Sequence, residues 1–275
     1  MRIRVSHQTV YHYDSPASRV IQILRITPRS HDGQHVVRWR IDVSADCRLT
    51  TQEDAFGNIT HAFSDDVPTD RLEVLVEGEV ETQDTGGVVR GAIERFPSSL
   101  YLRETELTRA DPAILAFARS VAHADPDDTI GTLHALVRGV YSEVTFDTDP
   151  THVTTTASEA FSLHRGVCQD LAHVFIAAAR SLGIPSRYVS GYYWRSDGIT
   201  AQDAGHAWVE SFVPSLGWVA FDPTHAMCAN DAYVRVAIGL DYLGAAPVRG
   251  TRFGGVGETL EVAVNVAQAF QQIQS

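Results

Sequence analysis

The chain contains no lysine. All 22 of its basic residues are arginine, which removes Schiff-base chemistry, a phosphate-loop lysine and the strand lysine of a kinase at once. Positive charge is itself short: 22 basic against 34 acidic side chains give a net charge of −12 over 275 residues. That balance excludes a nucleic-acid partner held by phosphate contacts. Long apolar runs are missing too, since none exceeds Val174 to Ala179, far less than a bilayer crossing requires. The opening Met1-Arg2-Ile3-Arg4-Val5 alternates charge where a secretory signal would be continuously apolar. Cysteine is scarce: Cys47, Cys168 and Cys228 are too few and too scattered for a disulfide framework. No C-x-x-C pair and no H-E-x-x-H stretch occurs, so neither a metal nor another cofactor is expected. The expectation is a cytoplasmic protein with reduced thiols and no membrane association.

An apolar content of 44% in a chain of this length suits one large or two small globular domains. The apolar pattern changes near residue 100. Before it, Val37, Trp39, Ile41 and Val43 alternate with Arg38, Arg40 and Asp42, and Leu72, Val74, Val76 and Val80 alternate with acidic residues, the period of half-buried strands. Turn signals at Asp32-Gly33, Phe56-Gly57-Asn58 and Asp84-Thr85-Gly86-Gly87 separate them. Residues 1–100 therefore read as an antiparallel all-β module, a small sandwich, and residues 101–275 as a second part that is α+β.

In the second part Asp111-Pro112 opens a helix, and a second begins near Thr129 with the stripe Ile130, Leu133, Leu136, Val137, Val140 and Tyr141. A third starts at the capping pattern Thr156-Ala157-Ser158-Glu159 and stops at Gly166. The fourth runs from Val167-Cys168 to Gly183-Ile184-Pro185, with Cys168 in its first turn. Strands follow at Ser186–Trp194, Ala207–Val213 and Trp218–Asp222, the last two joined by a turn at Pro214-Ser215-Leu216-Gly217. The tail, alternating through Leu260, Val262, Val264 and Val266, reads as a strand closing this second part.

The first turn of a helix presents unpaired N–H groups and the positive end of the macrodipole, which stabilise a thiolate. A lone cysteine in a helix is more often a small buried hydrophobe, so Cys168 gains meaning only with partners. A thiolate nucleophile needs an imidazole to pair with and a third group to orient that imidazole. His206 opens one strand of the hairpin and Asp222 ends the other. Closure at residues 214–217 would set positions near 209 and 222 opposite each other, so Asp222 would reach His206 only with an offset or a bulge.

Four blocks then stand in order: Arg165-Gly166-Val167-Cys168-Gln169-Asp170-Leu171-Ala172-His173, Gly183-Ile184-Pro185-Ser186-Arg187-Tyr188-Val189-Ser190-Gly191-Tyr192, His206-Ala207-Trp208-Val209-Glu210, and Gly217-Trp218-Val219-Ala220-Phe221-Asp222-Pro223-Thr224. In these the chain resembles the transglutaminase-like cysteine enzymes, in the bacterial branch with an N-terminal β module. Weaker similarity extends to Tyr11-His12-Tyr13-Asp14-Ser15-Pro16, Asp54-Ala55-Phe56-Gly57-Asn58 and Asp241-Tyr242. The resemblance implies a papain-like core of helices on an antiparallel sheet. It implies Cys168 as nucleophile, His206 as acid and base, and Asp222 as orienter. A carboxamide would be attacked to give a thioester, with the Cys168 N–H as an oxyanion donor. His225, after Asp-Pro-Thr, competes for the base, but the His-Ala-Trp block fits better. Asp170 is expected as a local cap or salt-bridge partner, Gln169 as a structural residue, Trp208 and Trp218 as packing between helix and sheet or as a wall of an acyl tunnel, and Cys47 and Cys228 as inert.

Three functions stay open: a cysteine amidohydrolase or peptidase acting on a peptide or protein amide, a true transglutaminase in which an amine takes the acyl group, and a non-catalytic binding module. A serine hydrolase lacks support, because no G-x-S-x-G occurs. The β module is expected either to wall the cleft or to mediate a homodimer.

Overall fold

A computed structural model describes residues 1–148 and 151–269. The chain opens with six antiparallel strands, β1 (Arg2–Ala17), β2 (Arg19–Thr27), β3 (Gln34–Val43), β4 (Thr50–Glu53), β5 (Ile59–Asp65) and β6 (Thr69–Thr82), and the short β7 (Val88–Val89). Helices α1 (Pro112–Val121) and α2 (Thr129–Glu143) lead through β8 (Thr145–Phe146), α3 (Ala157–Leu163) and β9 (Arg165–Gly166) to α4 (Cys168–Ser181). Then come β10 (Ser186–Tyr193), β11 (Ala201–Gln202), β12 (His206–Val213), β13 (Gly217–Asp222), β14 (Met227–Cys228) and β15 (Tyr233–Gly239). The short α5 (Tyr242–Ala245), β16 (Val248–Phe253) and β17 (Thr259–Gln268) complete it.

The expected caps form. Asp111 accepts from Ile114 N–H at 2.9 Å, and Thr156 and Glu159 make a reciprocal capping box. The third helix ends at Leu163, not at Gly166, because His164 itself takes the left-handed conformation that closes it, with φ of 51°.

The N-terminal sandwich is real. Tyr13, Leu24, Ile26, Phe63, Leu72, Val74 and Val76 fill a core between one sheet ordered β11-β17-β1-β6-β3 and another ordered β16-β2-β5-β4. Its strands are not all N-terminal, however. The tail strand expected to close the second part pairs with β1 from Ile3↔Gln268 to His12↔Thr259, and β16 pairs with β2. The first strand of this module needs a partner on each side, and the last strand of the described chain supplies one.

The second part is built on a sheet ordered β14-β13-β12-β10-β15, with β7 added beside β13. Against it lies α4, buried from Gln169 to Arg180 and apolar on nearly every side, as suits a helix enclosed by α1, α2, α3 and the sheet. Ile3, Val5, Val80, Val264 and Val266 of the sandwich join the same core. Two side-chain amides tie the parts together at the edge strand β15. Gln34 exchanges two hydrogen bonds with the Arg235 backbone, and Asn58 exchanges two with the Ile238 backbone, all at 2.8 Å. Each amide imitates the pairing another strand would give, so this edge is covered.

Candidate active site

Cys168 is the first residue of α4. Val167 before it cannot cap with its aliphatic side chain; the buried Asp170 turns back instead and accepts the Val167 N–H at 2.8 Å. Asp170 is thus the local cap expected of it; its own N–H bonds to the Val167 carbonyl at 2.9 Å, while the N–H groups of Cys168 and Gln169 stand ahead of the helix's first acceptor. The parallel pairing of Phe146 with Gly166 steers the chain into this turn. Gln169 donates to the Val153 carbonyl at 3.3 Å, a structural contact. The thiol is half-buried.

His206 begins β12 and Asp222 ends β13, and their meeting follows from the register. The ladder pairs Val213↔Gly217 through Val209↔Phe221 without a break, which continues to set Asp222 across from Trp208. His206 and Asp222 then share one face as diagonal neighbours, within reach of each other's side chains. Of the two routes expected, an offset or a bulge, the chain takes the offset. Gly217, at φ 84°, stays in the ladder, so the loop holds three residues, one fewer than expected, and the register moves by one. Had positions 209 and 222 been opposed, His206 and Asp222 would point to opposite faces.

His206 Nε2 and Asp222 Oδ2 are 2.7 Å apart. That leaves Nδ1 for Cys168, which stands beside the ring as a hydrogen-bond and charge partner. The same Oδ2 accepts from His225 Nδ1 and from the Tyr233 hydroxyl, each at 2.7 Å, while Oδ1 accepts the Thr224 N–H at 2.8 Å in an Asx turn across Pro223. Asp222 is wholly buried. Burial opposes the charge on His206, but the Asp222 carboxylate and its hydrogen bond, with Cys168 as a further partner, outweigh it and raise the imidazole from 6.5 to about 10. Burial likewise opposes the charge on Asp222, and His206 and His225 hold that carboxyl well below the usual carboxylate range. The pair is imidazolium and carboxylate at neutral pH. The ligand-type atoms of His206, Asp222 and His225 lie within 4.8 Å of one another, yet both imidazoles already donate to the carboxylate, and the group reads as a closed hydrogen-bond array.

Two matches with known families cover the parts just described. Residues 115–223 match the transglutaminase-like superfamily, and residues 3–81 match the bacterial transglutaminase-like N-terminal region. The chain belongs to the transglutaminase-like superfamily. It is 30% identical to the Mycobacterium leprae protein ML0607 over 97% of this chain and 99% of that one, and 27% identical to Mycobacterium tuberculosis Rv2569c over 96% and 92%. A stretch of 110 residues, 35% of this chain and 16% of the other, is 30% identical to a protein-glutamine gamma-glutamyltransferase of Pseudomonas aeruginosa. The crystal structure of a candidate cysteine protease from Cytophaga hutchinsonii has the same fold, with a TM-score of 0.74 at 19% identity, over 96% of this chain and 90% of that one.

Beside the residues expected of a transglutaminase-like site stand others. His225 was in view only as a rival base, and it joins the site through Asp222. Tyr233 carried no local signal, since its β15 position is set by long-range pairing. Trp208 and Trp218 do not pack between helix and sheet. They lie with Tyr101, Val189 and Tyr233 in a separate cluster, whereas Ala207, Val209, Val219 and Phe221 join the α4 core. Strand alternation sends the two sets to opposite faces.

Proposed function

We propose that this transglutaminase-like chain is a cysteine amidohydrolase acting on a peptide or protein amide in the cytoplasm. The observation that carries the reading is the ring of His206, bound through Nε2 to a buried carboxylate and flanked on its other side by Cys168. In this reading the Cys168 thiolate adds to the carboxamide carbon, and the Cys168 N–H at the helix terminus donates to the developing oxyanion. As the C–N bond breaks, His206 gives its proton to the departing ammonia or amine and a thioester remains. The neutral imidazole then takes a proton from water as the water attacks. The carbon–sulfur bond breaks, the acid leaves, and Cys168 and His206 return to thiolate and imidazolium. Asp222 holds the ring and stays ionised throughout. Water is favoured as acceptor because its concentration, roughly 55 M, exceeds that of any amine not held in a dedicated site.

A second reading, transfer of the acyl group to an amine, draws support from the local similarity to the gamma-glutamyltransferase. A binding module would not need the Cys168, His206 and Asp222 array at all.

Brief iodoacetamide treatment followed by peptide mapping tests the nucleophile. Alkylation should fall on Cys168, because burial pushes the thiols of Cys47 and Cys228 up, with Asp65 and Asp84 adding to it. Cys168→Ala should fold and release no ammonia from glutamine peptides. Equal labelling of the three thiols, or turnover by C168A, defeats the reading. Ammonia release that is unchanged by added amine, with free acid as product, separates hydrolysis from transfer.

A further inference from the structure

Only one of the donors around Asp222 leads to the thiol. Oδ2 accepts from His206, His225 and Tyr233, each at 2.7 Å, and Oδ1 from Thr224 N–H. A carboxylate oxygen shared among three donors offers less charge to each than one bound to a single partner. These donors come from different elements: His206 from β12, His225 from the β13–β14 turn, Tyr233 from β15. The ring of Tyr193, on β10, lies over both imidazoles, at 5.4 Å from His206 and 4.5 Å from His225. Beyond it Arg195 and Asp197 are paired with each other, and Cys168 faces His206 from α4. His225 has a third of its side chain exposed, whereas the carboxylate is fully enclosed. Neither Tyr233 nor His225 is needed to close the contact between His206 and Asp222, which its own diagonal placement makes.

We propose that Tyr233 and His225 are positioning residues that limit the basicity of His206 by drawing on the carboxylate oxygen that orients it. The inference rests on the Cys168–His206 pairing argued above. An imidazolium clamped by an unshared buried carboxylate would hold its proton too tightly to serve as an acid near neutral pH. Two extra donors on Asp222 loosen that hold, so that the proton can pass to a leaving amine. A simple anchoring role would act the other way: losing an anchor would let Asp222 drift, weaken its bond to His206 and lower the imidazole's affinity for protons.

The sign of one titration decides between them. In full-length Cys168→Ala, where the thiolate no longer holds the imidazolium, the His206 ring is followed against pH by nitrogen-15 NMR, with its signal assigned by loss in H206Q. Adding Tyr233→Phe should move the midpoint upward by about half a unit or more, and His225→Leu should do the same. His225→Asn, which keeps an N–H donor near the place of Nδ1, should leave the midpoint near that of the parent. An unchanged or lowered midpoint in both Y233F and H225L overturns the proposal, and a rise in only one removes the other residue from it. Should Y233F fail to fold, H225L at its partly exposed site carries the test. The titration needs no turnover, so it can fail while Cys168 alkylates selectively, and it can succeed in a chain whose thiol proves inert.

Discussion

Gly191 faces His206 directly across the β10–β12 ladder. A Cβ there would lie 2.0 Å from the Val234 carbonyl oxygen and 2.6 Å from the Trp208 ring, and the indole stacks near His206 with centroids 6.1 Å apart. Backbone cannot yield as a long side chain can, so Gly191→Ala should cost about 1–3 kcal/mol of stability and displace Trp208. Thermal unfolding would show the first effect and a slowed alkylation of Cys168 the second; an unchanged rate would mean that the indole does not support His206. At this scale the sequence was legible where chemistry needs a residue type at a fixed local place. A cysteine in a first turn, a histidine opening a strand and Asp-Pro closing the next were all visible. Tyr233 was not, because nothing within its own strand distinguishes a tyrosine that packs from one that donates to a carboxylate.

Between β10, β12 and β15 lies a buried ion cluster on the same face as His206. Glu210, wholly buried, accepts from Arg187 at 2.7 Å and Arg235 at 2.7 Å, and Arg187, also wholly buried, reaches Glu94 at 2.6 Å while resting 3.8 Å over the Trp218 ring. Burial would raise the Glu210 carboxyl, but Arg235 and Arg187 hold it at about 2. Glu210→Gln leaves a buried guanidinium with too few acceptors and should cost about 3–5 kcal/mol in denaturant unfolding. Asp197→Asn, at an exposed pair with Arg195, should leave stability where it was. A small loss from E210Q would mean that Glu94 alone balances the cluster. Helices and strands themselves were readable from their periods, and α4 most plainly. The β12–β13 register was not, since one glycine kept within the ladder exchanges a loop of four residues for one of three.

Charge couples the whole fold to pH. His7 and His173 are buried and lowered by desolvation from 6.5 to about 4. Their protonation favours the unfolded chain, so stability falls as pH drops from 6.5 to 4. Glu79, held down to about 2 by hydrogen bonds first from Arg38 and then from Arg2 and Arg4, and Glu210, at the same value, contribute stability that is lost as pH falls from 4.5 towards 2. His206, raised to about 10, contributes fully below 6.5 and loses that contribution as pH rises to 10. Calorimetry from pH 3 to 10 should therefore find the highest Tm near neutrality, with the acid side falling in two stages; a Tm higher at pH 4 than at pH 7 would contradict it. The boundary read near residue 100 followed a change of period, but pairing between residues more than two hundred apart leaves no local trace, and the return of β16 and β17 to the sandwich was hidden for that reason. That return has a consequence for biosynthesis. Because β1 is made ahead of the other strands of the sandwich and its neighbour β17 comes some 250 residues later in the chain, at roughly 5–20 residues per second, β1 waits many seconds with one edge open. Folding of the sandwich is completed only after translation has passed the part built around α4, so a nascent chain stalled before β17 should be the form most in need of a chaperone.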